Sequence, residues 1–146
     1  GRAPPEVVLH TREVLFVDAV CRPVLVEFAQ RYSIPDSRRI DIWELLTEPF
    51  LDTTVMPDED ARTMDLLAAE GFSKDDVDGI RRRIGPRMLL YNAVHWEWVA
   101  FSHADVLWAF GLRNAVFNRV LYSRRKVFYD WCNSIAGAGL CTRQSA

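Results

Sequence analysis

Four side chains in one stretch, His95, Glu97, His103 and Asp105, are of the types that could hold a metal ion. Imidazole nitrogens and carboxylate oxygens are ordinary ligands for zinc and related ions, and a bound ion would activate water for hydrolysis. The spacing matches no established ligand pattern such as H-E-x-x-H, which places two imidazoles on one helical face. The simpler reading is that these groups cap and orient helices beside Trp96 and Trp98. Cys21, Cys132 and Cys141 show no metal spacing either. Cys132 has no histidine on its own helix to act as base, so the expected role of the thiols is that of small core residues. No catalytic residue, metal site or cofactor is assigned on this reading.

Charge offers two further kinds of chemistry. Arg81-Arg82-Arg83 and Arg124-Arg125-Lys126, near Tyr91 and Tyr122, could touch phosphates. Consecutive residues on a helix point in different directions, so neither run makes a dense stripe. The 18 basic and 20 acidic residues give a net charge of −2, which exerts no general pull on nucleic acid or an anionic membrane. The carboxylates are more suggestive. Asp58, Glu59 and Asp60, then Asp75 and Asp76, stand at the starts of two successive expected helices. Each such group contributes a few tenths to about 1 kcal/mol against the helix dipole, and five exceed what capping requires. They are the candidate partner-binding residues, presented to a basic protein. Nuclease inhibitors use acidic patches in this way, because their targets have basic clefts.

The elements that position these residues read as helices. At 146 residues, 49% of them apolar, the chain is one domain with a real core. Residues 1–5 form a loose lead-in and 137–146 a frayed tail. Val7, Val14, Val17, Cys21, Val24 and Phe28 recur at helical spacing, so Val7 to Tyr32 is read as helix, kinked near Cys21 by Pro23, with a strand conceivable for part of it. A second helix is expected from about Ser37 to Thr47, ended by Pro49. A third begins at Pro57 and stops at Gly71. Ser73 and Asp76 form a capping-box-like start to a fourth, which Gly85-Pro86 should end. Ser102 is positioned to cap a helix from His103 to Phe110. Arg113 to Ile135 carries the widest apolar face, with Arg119, Lys126, Asp130 and Asn133 opposite, and is expected to be the central helix. The expected core includes Trp43, Leu46, Phe50, Phe117, Val120, Phe128 and Trp131. The fold class is therefore all-α, a single bundle of five to seven helices. No apolar run is long enough to cross a bilayer. The first ten residues lack the layout of a signal peptide, so a cytoplasmic location is expected.

Trp43, Leu46, Phe50, Leu51, Asp52 and Thr53 spell W-x-x-L-x-x-x-F-L-D-T. They are followed by an acidic helix start, by Gly85, Pro86, Leu90 and Asn92, and by Trp98 and Phe101 as W-x-x-F. This pattern, over roughly Ile42 to Phe110, resembles a family of small bacterial helical proteins of unknown function; Pro49 departs from it. The resemblance implies no activity, but proteins of this type often lie beside toxins in bacterial genomes. Together with the acidic helix starts it favours a cytoplasmic protein-interaction module, an immunity-type inhibitor of a basic bacterial toxin. The alternatives are a small metal-dependent enzyme using His95, Glu97, His103 and Asp105, or a nucleic-acid-binding regulator using the two basic runs.

Overall fold

Asp41 makes the first connection of the architecture. Its carboxylate accepts the backbone N–H of Trp43 at 3.0 Å and that of His103 at 3.2 Å, so one side chain ties together the starts of two helices far apart in sequence. The computed structural model describes residues 4–10, 13–35, 40–51, 57–95, 100–111 and 122–138. Among these are a hairpin of β1 (Glu6–Val8) and β2 (Val14–Phe16), and the helices α1 (Arg22–Arg31), α2 (Ile42–Thr47), α3 (Pro57–Ala69), α4 (Lys74–His95), α5 (His103–Ala109) and α6 (Tyr122–Ala138). Short 3-10 turns at Ala19–Cys21 and Glu48–Phe50 precede α1 and follow α2. The fold is the mostly helical bundle that the periodicity predicts, with a small sheet added. No helix among the described residues is long and apolar enough to cross a membrane.

The hairpin is the main departure. Val7 to Tyr32 is not one kinked helix: Glu6 pairs with Phe16, Val7 with Leu15 and Val8 with Val14, antiparallel. Helical spacing misleads here because β-branched residues also suit a pleated strand. The pairing is closed by Leu9 N–H to Glu13 O and Val17 N–H to Pro5 O, both 2.9 Å. Pro23 does not kink a helix; it sits in the first turn of α1, where its missing N–H has no intrahelical partner to lose. The second helix starts later than expected, at Ile42 after the Asp41 cap. The fourth does not stop at Gly85-Pro86: α4 runs through Pro86 to His95. Gly85 eases the passage because it has no Cβ for the proline ring to crowd. It also admits the Phe50 ring, whose Cε1 would lie 3.1 Å from a Cβ at that position.

The central element is α2, not the last helix. Ile42, Trp43, Leu46 and Thr47 are all buried, and α3, α4, α5 and α6 pack around it. The Trp43 indole N–H donates to Cys132 O at 3.1 Å, and Thr47 Oγ1 donates to Trp43 O and Phe101 O. In α6, Ile135 is buried, Phe128 and Trp131 are half-buried and Val127 is exposed. Phe50 is half-buried as well, while Phe117 and Val120 lie outside the described residues. The helix continues through Gly137 and Ala138, past the expected start of the tail.

Asn133 faces inward, contrary to its expected place on the solvent side. Its Oδ1 accepts the buried N–H of Val14 at 3.0 Å and so seats the hairpin on α6. Asn133→Ala leaves that donor without its partner and should cost about 1–3 kcal/mol. Denaturant unfolding measures the loss, and amide exchange should accelerate at Val14 more than in α3.

Candidate functional site

The three candidate metal ligands among the described residues, His95, His103 and Asp105, do not assemble. His103 is fully buried, edge-on to Phe16 at 5.1 Å and stacked over Trp43 at 6.1 Å. His95 is exposed in the last turn of α4. Its ring stacks on Tyr91 at 4.0 Å, with Nδ1 3.0 Å from the Tyr91 carbonyl. Asp105 closes a capping box: its Oδ2 accepts the Ser102 N–H and hydroxyl, each at 2.8 Å, and its Oδ1 accepts the Tyr91 hydroxyl at 3.2 Å. Glu97 lies outside the described residues. Among those described, no group of three His, Cys, Asp or Glu side chains could hold a metal ion. The connection that does exist, Asp105 to Tyr91 to His95, joins α5 to α4 and orients a ring.

The thiol of Cys132 is buried, and burial pushes its pKa far up despite the opposing pull of Arg83 nearby. It stays a neutral thiol through the physiological range, and a thiol rather than a thiolate is a poor nucleophile. The first basic run is dispersed, as consecutive helical positions require. Arg81 Nε donates to Leu46 O at 3.2 Å and Nη1 lies 3.7 Å from Asp60, so this guanidinium serves the C-terminal end of α2. Arg83 lies over the Trp131 ring at 4.0 Å, and Arg82 is exposed. In the second run Lys126 pairs with Asp130; the side chains of Arg124 and Arg125 lie outside the description.

The acidic starts are exposed but do not form one cluster. Asp58, Glu59 and Asp60 are in the first turn of α3, whereas Asp75 and Asp76 follow its other end. The 13 residues of α3, roughly 20 Å of helix, stand between them. Asp60 faces Arg81, and Asp76 accepts the Ser73 N–H at 3.0 Å and the Ser73 hydroxyl. These two bonds hold the Asp76 carboxyl below the usual aspartate range. A lowered pKa means that the cap is complete at neutral pH and is lost only as the pH falls through that depressed value.

A feature that single-residue motifs did not reveal is a groove between α4 and α5. It encloses about 490 Å³ and is lined by Arg87, Leu90, Tyr91, Val94 and His95 from α4 and by Trp108 and Ala109 from α5. Leu90 is 68% exposed and Val94 71%, so a large part of α4's apolar surface faces outward here. Helical spacing carries the signal: Arg87, Tyr91 and His95 form one row and Leu90 and Val94 the adjoining one. The expected break at Pro86 concealed it, because both rows lie beyond the proline. A second exposed stripe, Val24, Phe28 and Tyr32, runs along α1 and its end.

No family model matches the chain, and no curated protein or solved structure matches it. The chemistry therefore rests on the geometry above. Native protein treated with a disulfide reagent at pH 8 should leave Cys132 unmodified, and denaturant should expose it. Rapid native labelling of Cys132, mapped by mass spectrometry, would contradict the assignment of a buried neutral thiol.

Proposed function

We propose that this domain acts by binding another protein, and that the binding is inhibitory, a domain that occludes a toxin. The observation that carries the reading is the exposed apolar groove of α4 and α5. Contiguous apolar surface beside fixed polar groups is what a docking site requires. Three of the catalytic candidates support it from the other side, because they are engaged in holding the fold: Asp105 in a cap, His103 among aromatic rings, Cys132 as a core thiol. A binding protein needs none of them for chemistry.

Asp58, Glu59, Asp60, Asp75 and Asp76 enter as a charged periphery. Because α3 separates them into two groups, a basic partner would engage one group rather than all five. Their contribution would be to association rate and partner choice more than to residence time.

The test uses a protein toxin encoded beside this chain, with binding followed by surface plasmon resonance. Leu90→Ser with Val94→Ser should weaken binding about tenfold or more, the cost of losing two anchors, with little change in melting temperature because both side chains are exposed. Unchanged affinity would remove the groove from the interface and this reading with it. Glu59→Lys and Asp75→Lys, made separately, should differ: the one that faces the partner should slow association at low salt and less at moderate salt.

A further inference from the structure

We infer that Arg83 and Arg87 together receive the phosphate of a phosphorylated protein side chain, at a site separate from the toxin docking proposed above. The two residues stand four apart on α4, neighbours on one helical row whose Cβ atoms are about 5–6 Å apart. Both are exposed, and neither pairs with a carboxylate among the described residues. Two like charges at that spacing weigh against the helix. A single dianion lying between them would relieve the repulsion and compensate both.

Aromatic rings fix the pair. Arg83 Cζ lies 4.0 Å from the centre of the Trp131 ring and 5.7 Å from that of Phe128, and Arg87 Cζ lies 5.3 Å from that of Phe110. Phe110 and Phe128 are stacked with centroids 4.0 Å apart, and Phe128 meets Trp131 at 5.4 Å. The two charges therefore stand over one continuous platform built from the end of α5 and from α6. Contact with a ring face leaves a guanidinium its full charge. Neither group donates a hydrogen bond among the described residues, so their N–H groups remain for an oxyanion, which arginine takes in a bidentate fork. A side chain already positioned loses less freedom on binding. The neighbouring arginines differ. Arg81 directs its donors to the Leu46 and Leu45 carbonyls and toward Asp60. Arg82 is exposed and has no ring contact among the described residues.

Two guanidiniums select a phosphate monoester. At neutral pH it carries about two negative charges and three acceptor oxygens, whereas a carboxylate brings one charge. A nucleotide bears the same group but gains from its base chiefly by stacking on an open aromatic face. Here Phe110 and Phe128 stack on each other, and Trp131 meets both Arg83 and Trp43. A nucleic-acid strand is disfavoured further by the net charge of −2. The source that fits is a phosphorylated side chain, which asks only for the two charges.

The probe is a fluorescein-labelled Gly-Ser peptide carrying one phosphoserine, titrated with the full chain at low salt and read by anisotropy. Saturable binding is expected. Peptides with Ser or Glu in place of the phosphoserine should bind about tenfold more weakly, a change that leaves the protein itself untouched. R83Q and R87Q should each weaken phosphopeptide binding about three- to fivefold, the upper range of exposed ion pairs, while R82Q leaves it unchanged. In the unaltered protein, the phosphopeptide should shift the Nε–Hε nuclear magnetic resonance signals of Arg83 and Arg87 and not that of Arg82, so a variant that folds poorly does not decide the matter. Equal binding of the phosphoserine and serine peptides overturns the inference, as does an equal loss in R82Q, which would mean unfocused charge attraction. Adenosine 5′-monophosphate should compete no better than the phosphopeptide; competition tenfold stronger would show that a base is recognised and would overturn the assignment to a protein side chain. Arg87 also borders the α4–α5 groove, but the peptide has no apolar anchor, so L90S/V94S should leave its binding unchanged. Failure of the phosphopeptide to bind leaves the toxin docking reading to its own test.

Discussion

The rest of the structure depends on the burial of α2. A helix of six residues is far too short to be stable in water, because nucleation fixes several dihedrals for each hydrogen bond gained. It persists here because both of its ends and its middle are satisfied by other elements. Asp41 supplies its N-cap and also takes the first N–H of α5. The Trp43 indole reaches the Cys132 carbonyl of α6, and Thr47 reaches the Phe101 carbonyl before α5. Arg81 of α4 donates to Leu46 O and, at 3.4 Å, Leu45 O, two of the carbonyls that a short helix leaves over at its C-terminal end. The core is therefore assembled around polar bonds as much as around apolar contact, and losing one unseats two elements at a time.

The same dependence explains α4. Its passage through Pro86 forfeits one intrahelical bond and would ordinarily bend or end the helix. Tertiary contact holds it on course: the Phe50 ring lies against Gly85, Asn92 Nδ2 donates to Phe50 O at 3.0 Å, and Met88 is buried two residues beyond the proline. Continuation past Pro86 is what brings Arg87, Tyr91 and His95 into one row and creates the groove. The site is thus a consequence of how the Glu48–Phe50 turn packs, although that turn contributes no residue to it. Phe50 meets Gly85 and Asn92 here, whereas Trp43 packs against His103 and Trp131 and donates to Cys132 O.

Electrostatics is used locally throughout. Glu44 illustrates the cost of that choice: burial, then the nearby charges of Asp41 and Glu48, hold its carboxyl above the usual glutamate range. A raised pKa means that the ionised form at neutral pH weighs against the fold, and that the penalty fades as the pH falls toward 4.5. The position near Asp41 is tolerated because Asp41 itself serves two helix starts. Arg81, Arg83 and Arg87 are likewise placed one by one, on carbonyls and a carboxylate, on Trp131 and on Phe110. The basic residues of α4 therefore go to different contacts rather than to one stripe.

Local chemistry was enough to determine the helical class, the Ser73–Asp76 and Ser102 caps, the Pro57 start and the interior role of Trp43 and Leu46. Each depends on groups within a turn or two of one another, or on apolar character alone. Other features depended on partners distant in the chain. Val7 to Phe16 carries spacing compatible with either period, and only strand pairing and the Asn133 bond to Val14 decide for the hairpin. Pro86 reads as a stop unless Phe50 and Asn92 are known to hold the helix on both sides of it. Asn133 and Asp130 are both polar letters on α6, yet one is buried and one exposed. His103 and His95 are chemically the same, and the fold places one among aromatic rings and the other at a groove's edge. Residue type sets what a side chain can do, but burial and neighbours set what it does, and those arise only when separated segments pack.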